Sequence, residues 1–454
     1  MEIRSLESIE IKQKNDLRGK KQVQNDEGYL ILEYTDKSEI QLDQYSNINS
    51  SQVKYEFLTQ KYINAQTCII KQIKELRQNT NEGSTLLVDI KLNNNSSYLT
   101  AQNLEIYPQN DPHQVSQLAT YLNLDQNQNV QFKNFNKEIE YPFPTPISIR
   151  NIFGKFCDFQ GQLMKKTLIE LSKLTKNEQY KNQLLFLAED KGQFQIEILN
   201  KRKTLFDLMK EYQIVPNLDQ FIQLCPRISP RAFTIASSNL DHPDIIQIAD
   251  SLVIEKLSNN QIKYGLCSKY LINCFNKYKN KMTGNRIRIS IKNSSFILQN
   301  NNKPIIMIGT GTGVAPFIAF CQEKLVLRNK NIFLGDFSLF FGCRYQNQDF
   351  IFKEDILKFK EDQIINNLFA AFSRDDAEKK VYVQDLIMQN KQFVYETLFL
   401  KNGNIYICGN TFMGQDIMQS LNEIVQIFQK VDKKQASKLT QELESEKRIV
   451  KELW

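Results

Sequence analysis

The chain has few of the residues on which metal sites and disulfide frameworks depend. Its 454 residues include only two histidines, His113 and His242, and each stands beside a proline. The eight cysteines are scattered, without a C-x-x-C pair or another metal spacing. We therefore expect no metal site, and cysteine usage of this kind fits a reducing compartment.

Long apolar runs and dense runs of charge are also lacking. No segment is apolar over the length needed to cross a bilayer, and the mixed-charge N-terminus has no apolar core typical of a secretory signal. The net charge of +7 is spread along the chain without a dense block of Lys and Arg. We therefore expect no nucleic-acid partner, no direct membrane insertion and a cytoplasmic location.

Glycine is scarce as well, with 16 residues, yet three glycines fall within five positions. Gly309, Gly311 and Gly313 follow the apolar run 304–308 and precede a stretch of helical spacing that starts at Phe317. A strand, a glycine turn and a helix together form a corner at which a phosphate can approach the backbone and the free N–H groups of a helix. A purely structural turn is the alternative.

The length predicts two or three domains, and the pattern of elements changes along the chain. From residue 304 onward strands alternate with helices, which predicts a doubly wound parallel sheet. Its predicted strands are 304–308, 338–342, 367–372, 404–408 and 448–453. Helices are predicted between them at about 315–328, 350–361, 383–398 and 412–430. Earlier strands are predicted at 84–92, 98–107, 232–237, 245–257 and 286–291. Residues 112–224 show helical periodicity, and residues 1–52 form a polar tail or docking arm.

Two stretches before the glycine turn have residues suited to a bound dinucleotide. Arg231 and Phe233 alternate onto one face of a predicted strand, where a cation and an aromatic ring can hold a phosphate and a flat ring system. Gly265 and Ser268 open a predicted helix, a second candidate anion site. The alternatives are a half-buried strand with an incidental arginine, and a plain helix cap by Ser268.

Two further features lie near the end of the chain. Ser373 and Arg374 end a predicted parallel strand at its carboxyl side, and Lys380 and Tyr382 follow them. This set suits an adenosine that carries an extra phosphate, and a solvated turn of mixed charge is the alternative. Trp454 is the only tryptophan and the last residue. It either stacks on a ligand ring or covers a core from an edge strand.

Together these stretches resemble the C-terminal part of the NADPH-dependent diflavin reductases, which include the NADPH–haemoprotein reductases and the sulfite reductase flavoproteins. The resemblance covers about residues 53–454. It implies a ferredoxin–NADP reductase-like fold of class α/β plus β-barrel. The implied domains are an antiparallel FAD-binding barrel (53–111 and 225–300), a helical connecting insert (112–224) and an NADPH-binding domain (301–454).

The resemblance also implies cofactors and residue roles. FAD and NADPH would be the cofactors, and Thr234, Cys408, Glu452 and Trp454 would surround the site of hydride transfer. Phe233 would stack on the flavin ring and Trp454 would cover its other face. The implied cofactor-binding residues are Arg231, Phe233, Thr234, Gly265, Leu266, Cys267, Ser268, Gly309, Gly311, Thr312, Gly313, Cys343, Arg344, Ser373, Arg374, Lys380, Tyr382, Gln384, Cys408 and Trp454.

The sequence departs from the family pattern at several positions. Ala101 and Gln102 stand where the family has Gly and Asp, and Glu452 stands where Asp is usual. Residues 1–52 contain no phosphate loop of a flavodoxin-like FMN domain. We therefore expect FAD alone, with electrons passing to a separate FMN, iron–sulfur or haem protein. One alternative is a reductase-like structural subunit with weak or no turnover. A closer relation to plant-type ferredoxin reductases is disfavoured by the long helical insert.

Overall fold

The computed structural model describes residues 30–40, 54–93, 96–133, 136, 139–257, 262–281, 285–299, 302–376 and 378–454. Most of the predicted tail 1–52 lies outside these residues. The strands, in chain order, are β1 (Leu32–Thr35), β2 (Lys54–Tyr55), β3 (Gln66–Glu75), β4 (Thr85–Lys91), β5 (Asn103–Ile106), β6 (Asn129–Phe132), β7 (Glu140–Tyr141), β8 (Ile147–Ser148), β9 (Arg231–Thr234), β10 (Ile245–Ser251), β11 (Ile254–Lys256), β12 (Ile262–Tyr264), β13 (Arg286–Lys292), β14 (Ile305–Thr310), β15 (Phe337–Cys343), β16 (Asn367–Phe372), β17 (Asn404–Gly409) and β18 (Ile449–Leu453).

The α-helices alternate with these strands in the second half of the chain and cluster between β8 and β9 in the first. They are α1 (Phe57–Asn64), α2 (Pro112–Tyr121), α3 (Ile149–Lys155), α4 (Lys165–Leu174), α5 (Glu178–Glu189), α6 (Lys191–Gln193), α7 (Leu205–Glu211), α8 (Leu218–Leu224), α9 (Leu266–Lys279), α10 (Ala315–Asn329), α11 (Lys353–Glu361), α12 (Val383–Gln389), α13 (Lys391–Tyr395), α14 (Thr411–Gln429) and α15 (Lys433–Ser445). Among the helices of the described ranges, none combines the length and apolar character required to span a bilayer.

The chain forms two compact units. The first comprises Met1–Asn64 and Asn110–Ile228, and the second comprises Ala65–Gln109 and Ser229–Trp454. The predicted boundaries at 112, 225 and 301 stay predictions.

The first unit is mainly helical and has an aromatic core. The ring of Phe153 on α3 contacts that of Phe221 on α8, with centroids 5.2 Å apart in an edge-to-face arrangement. Helix α7 begins at a capping box, because the Thr204 hydroxyl accepts from the Asp207 N–H and the Asp207 carboxylate accepts from the Thr204 N–H. Strands β1, β6 and β8 form a small sheet in this unit.

The second unit contains a six-stranded antiparallel sheet in the order β10-β4-β3-β13-β5-β9. Beyond β9 the Ala236 N–H donates to the Gln247 carbonyl of β10 at 2.7 Å. Since β9 and β10 are the two edges of the sheet, this hydrogen bond joins the edges in the manner of a barrel. The side chains inside include Ile90, Leu104 and Ile248, all fully buried.

The same unit contains a parallel sheet in the order β16-β15-β14-β17-β18. The central strand β14 is buried on both faces, with Ile305 and Met307 in one core cluster and Ile306 and Ile308 in the other. The order reverses between β14 and β17, which is the place where open α/β sheets bind ligands at the carboxyl ends of their strands. The predicted fold class is therefore confirmed.

Some predicted helices of this sheet are wrong in detail. The helix expected over 350–361 begins at Lys353, because Phe352 adopts φ +54°, outside the helical region. The helix expected over 383–398 is divided into α12, α13 and a π-helical turn at Glu396–Leu400. Helix α15 was not expected.

Candidate functional site

The glycine turn lies at the carboxyl end of β14, as expected. Gly309 ends the apolar part of the strand, and Gly311, Thr312 and Gly313 form a 3₁₀ turn that leads into α10. A Cβ at Gly313 would stand 2.1 Å from the Cys408 carbonyl oxygen, so only glycine permits this approach to β17. Gly311 adopts φ +52° and faces open space. A bare backbone turn beside open space fits an approaching pyrophosphate.

The predicted residues Thr234, Cys408 and Glu452 lie together although they are far apart in sequence. The Thr234 hydroxyl donates to a Glu452 carboxylate oxygen at 3.0 Å. The side chain of Cys408 is fully buried and also hydrogen-bonds to Thr234. The register of the parallel pair β17–β18 places Cys408 beside Glu452. Three side chains from β9, β17 and β18 thus form a continuous hydrogen-bonded chain.

Two residues that the sequence did not single out complete the environment of Glu452. The Ser294 hydroxyl donates to its second carboxylate oxygen at 3.4 Å, and the Asn103 side chain also bonds to it. The Asn103 side-chain oxygen is buried and has no hydrogen-bond partner among the described residues. A buried acceptor without a partner beside this cluster suits a ligand that brings a donor.

Burial changes the proton affinity of both acids in the cluster. It raises the pKa of Glu452, and the hydrogen bonds from Thr234, Asn103 and Ser294 oppose that rise only in part. Burial, followed by the nearby Glu452 carboxylate, raises the pKa of the Cys408 thiol well above its usual value. Cys408 is therefore a neutral thiol at neutral pH and cannot act as a thiolate nucleophile.

Trp454 lies beside this cluster at the end of β18. The backbone N–H of Trp454 donates to the Gly409 carbonyl at 3.1 Å, and its backbone carbonyl accepts from the Thr411 N–H at 3.0 Å. The residue as a whole is 58% exposed. The backbone of Trp454 is thus held against β17, while its ring is accessible. The exposed ring does not cover a core, so the edge-strand alternative from the sequence does not hold.

The residues expected to hold FAD lie on β9 and at the start of α9. Arg231 is exposed, and Phe233 packs half-buried against the core of the antiparallel sheet. The Arg231 guanidinium is close enough to the Cys267 thiol to act on its pKa, in the direction opposite to burial. The guanidinium itself donates to the Ser229 carbonyl at 2.8 Å.

Ser268 does not cap α9, so the alternative of a plain helix cap by this residue does not apply. Gly265 occupies the N-cap, without a side-chain hydrogen bond, so the first N–H groups of Leu266, Cys267 and Ser268 have no acceptor within the helix. The Ser268 hydroxyl is buried and accepts from the Val253 N–H at 3.2 Å. It also bonds to the Asp250 carboxyl, whose second oxygen is buried and has no hydrogen-bond partner in the part of the chain that the structure describes.

Asp250 is a residue that sequence reasoning missed. It lies in β10 and is almost fully buried, and burial raises its pKa to about 7, while the hydrogen bond with Ser268 acts in the opposite direction. Asp250 lies 18 residues before Ser268, and only the fold brings the two side chains together. No sequence motif has this spacing, so the pair could not be predicted from the sequence.

The predicted clamp for an extra phosphate lies at the carboxyl ends of β15 and β16. The Ser373 N–H donates to the Cys343 carbonyl at 3.0 Å, and the Arg374 N–H donates to the Arg344 carbonyl at 2.8 Å. Asp349 shapes the loop after β15 by accepting from the Tyr345 N–H at 2.7 Å. The structure therefore brings two arginines together at one edge of the sheet.

The other predicted clamp residues follow on the connection to α12. Lys380 and Tyr382 are exposed there. The Tyr382 N–H donates to the carboxylate of Asp385 in the first turn of α12. Gln384 lies in the first turn of α12, and its amide donates to Asp416 of α14 at 3.2 Å. The Gln384 amide is therefore engaged within the protein, and the other two side chains are accessible.

Comparison with known proteins agrees with this geometry. Residues 60–270 match the FAD binding domain family, and residues 307–419 match the oxidoreductase NAD-binding domain family. The NADPH–cytochrome P450 reductase of Dictyostelium discoideum is 29% identical over 84% of this chain and 57% of that protein. The chain is therefore similar to the NADPH–cytochrome P450 reductases over an FAD-binding and an NAD-binding domain. The two domains bind FAD and NADPH, as the motifs predicted.

Two further relatives also match most of this chain and only part of their own length. The NADPH–cytochrome P450 reductase of Bos taurus is 28% identical over 79% of this chain and 54% of that protein. The bifunctional cytochrome P450/NADPH–P450 reductase 2 of Bacillus subtilis (strain 168) is 26% identical over 85% of this chain and 36% of that protein. The chain thus spans about half the length of the NADPH–cytochrome P450 reductases it matches.

Proposed function

We propose that the chain is an NADPH-dependent, FAD-containing reductase that passes electrons to a separate carrier protein. The observation that carries this proposal is the chain of hydrogen bonds from Cys408 through Thr234 to Glu452. It joins a strand of the antiparallel sheet to two strands of the parallel sheet. A structural subunit without turnover would have no need to bury an acid in such a cluster.

The residues of the cluster have complementary roles in this proposal. Bound FAD would supply the exchange between a two-electron donor and one-electron acceptors, which amino-acid side chains do not perform. Thr234 and Glu452 would hold a proton by hydrogen bonds at the place where the two ring systems meet. Cys408, buried and uncharged, would limit access of water and fix the orientation of Thr234. Trp454 would occupy the ring site until a nicotinamide displaces its accessible indole.

The remaining roles concern phosphates. The backbone N–H groups at the start of α9 and the Arg231 guanidinium would hold the pyrophosphate of FAD. The turn from Gly309 to Gly313 would hold the pyrophosphate of NADPH. Ser373, Arg374 and the exposed Lys380 would bind its additional phosphate.

The acceptor is proposed as an FMN, iron–sulfur or haem protein. The relatives are named for cytochrome P450, a haem protein, which supports the haem class among these three. A cytoplasmic location and the absence of a nucleic-acid partner stay predictions from the sequence.

The alternative of a reductase-like subunit rests on Ala101, Gln102 and the polar N-terminal arm. Ala101 adopts φ +59°, a conformation in which glycine has no steric cost. Gln102 is buried. Its side chain accepts from the Leu99 N–H at 2.7 Å and donates to the Asn293 side chain at 3.1 Å. The Gln102 side chain thus forms its hydrogen bonds within its own surroundings. The departure from the family pattern is confined to this loop. We therefore favour turnover.

The direct test is reduction of ferricyanide by the purified, FAD-reconstituted chain. We expect bound FAD, and NADPH as a much better donor than NADH. The Thr234→Val variant keeps the shape of the side chain but removes both hydrogen bonds, and we expect it to reduce ferricyanide about tenfold or more slowly with FAD retained. A chain that cannot be loaded with FAD would refute the proposal.

A further inference from the structure

The hairpin between β3 and β4 places a carboxylate on the predicted phosphate clamp. One Glu82 carboxylate oxygen lies 3.5 Å from the Arg374 guanidinium and 4.0 Å from the Arg344 guanidinium. All three side chains are roughly half exposed, with 45% to 48% of each side chain accessible. Arg374 of the predicted clamp and Arg344, a further residue expected to bind the cofactor, thus share a carboxylate of the same chain.

The hairpin is held in this position by its backbone. The Gln78 N–H donates to the Gln348 carbonyl at 3.0 Å, in the loop that follows β15. The Arg77 side chain donates to the Thr85 hydroxyl at 3.0 Å across the base of the hairpin. Gly83 turns the chain with φ +136°. The approach of Glu82 to the arginines is therefore a consequence of docked backbone and not of one long side chain alone.

The arginines are also fixed on their side of the contact. The Arg374 N–H donates to the Arg344 carbonyl, and the Arg344 N–H donates to Asp349 at 3.3 Å. Arginine forks bind carboxylates and phosphates by the same geometry. A phosphate monoester carries nearly two negative charges near neutral pH, whereas Glu82 supplies one. A phosphate can therefore displace Glu82, but it must compete with it.

We infer that Glu82 is an internal competitor for the extra phosphate of NADPH. This inference rests on the proposed function, since it assigns a regulator to the same clamp. Glu82 pairs with Arg344 and Arg374 when no nucleotide is bound, and the phosphate of the nucleotide takes its place. The carboxylate thereby lowers the affinity for nucleotides with the phosphate and leaves those without it unaffected.

The test is calorimetric titration of the FAD-loaded chain with two probes. Adenosine 2′,5′-bisphosphate contains the extra phosphate, and adenosine 5′-monophosphate lacks it. In the Glu82→Gln variant we expect the bisphosphate to bind about two- to fivefold more tightly, the range that an exposed ion pair contributes. Binding of the monophosphate should not change.

Two further variants separate the local contact from general charge. Glu361→Gln removes the same charge from an exposed position at the end of α11, and it should change neither affinity. In an Arg374→Gln background the gain from Glu82→Gln should shrink, because one of the two shared partners is gone.

The outcomes are distinct. Equal bisphosphate affinity in the Glu82→Gln variant and the unchanged protein would overturn the inference while the proposed function stood, provided that the bisphosphate still binds better than the monophosphate. An equal gain in Glu361→Gln would also overturn it. If the unchanged protein did not prefer the bisphosphate, both the clamp and the competitor would be refuted.

Discussion

The buried carboxyl of Asp250 predicts that the stability of the second unit depends on pH. The pKa of Asp250 rises from 3.8 to about 7 because the side chain is buried, with only the Ser268 hydroxyl as a described partner. The folded protein therefore favours the neutral acid. Replacing Asp250 by Asn keeps a hydrogen-bonding side chain of the same shape and removes the ionisation.

The sign follows from the two protonation states. Below about pH 4 the group is protonated in both the folded and the unfolded chain, so it imposes no penalty. As the pH rises through about 7, the unfolded chain ionises first and the folded state loses relative stability. At about 1.4 kcal/mol for each pKa unit, the loss amounts to about 4 kcal/mol, an upper bound because the structure can relax around the charge. Asp250→Asn should be the more stable protein at about pH 8 by up to this amount.

Hydrogen exchange of peptides from β10, read by mass spectrometry, measures the free energy of opening at this strand without requiring that the two units unfold together. We expect the difference between Asp250→Asn and the unchanged protein to increase from about pH 5 to about pH 8. The matched control is Asp336→Asn, an exposed aspartate of the same unit, for which the difference should stay flat. A constant difference for Asp250→Asn would refute the reasoning.

Three further predictions concern the cofactor site. Glu452→Gln removes the charge but keeps an acceptor for the cluster, so flavin reduction by NADPH in stopped flow should slow about tenfold, and an unchanged rate would exclude a role for the carboxylate. Gly313→Ala forces a Cβ to 2.1 Å from the carbonyl oxygen of Cys408, and it should lower the free energy of unfolding by about 2 kcal/mol or more in thermal denaturation. The control is Gly154→Ala, whose Cβ would meet no described atom within 4 Å and which should be neutral or stabilising. Arg374→Gln should raise the KM for NADPH about tenfold or more and leave that for NADH within about twofold; parallel changes for both donors would contradict a phosphate clamp.

Sequence reasoning worked best where the signal is local. The turn from Gly309 to Gly313 is contiguous, and its strand and helix have clear periodicity, so both the fold of this half and the site follow from neighbours in sequence. Helix α15 was missed because most of its positions are polar. Its buried face consists only of Ala436, Thr440 and Leu443, which is too weak a stripe to stand out.

The partners of the predicted residues were less accessible to sequence reasoning. Asn103, Ser294 and Asp250 are common polar residues with no motif around them, and their contacts depend on strand register and on the packing of α9. The Glu82 contact likewise depends on where a hairpin of one sheet meets the loops of another. Such contacts become visible only when the backbone of the whole unit is placed.

The distribution of the Thr234 cluster over two sheets has a consequence for engineering. Thr234 and Asn103 come from the antiparallel sheet, whereas Cys408 and Glu452 come from the parallel sheet. A chimera that combines one sheet with its counterpart from another reductase would separate residues selected to act together. Exchange of either half as a module should therefore require transfer of its contact residues as well, and substitutions in one half should be compensated by substitutions in the other.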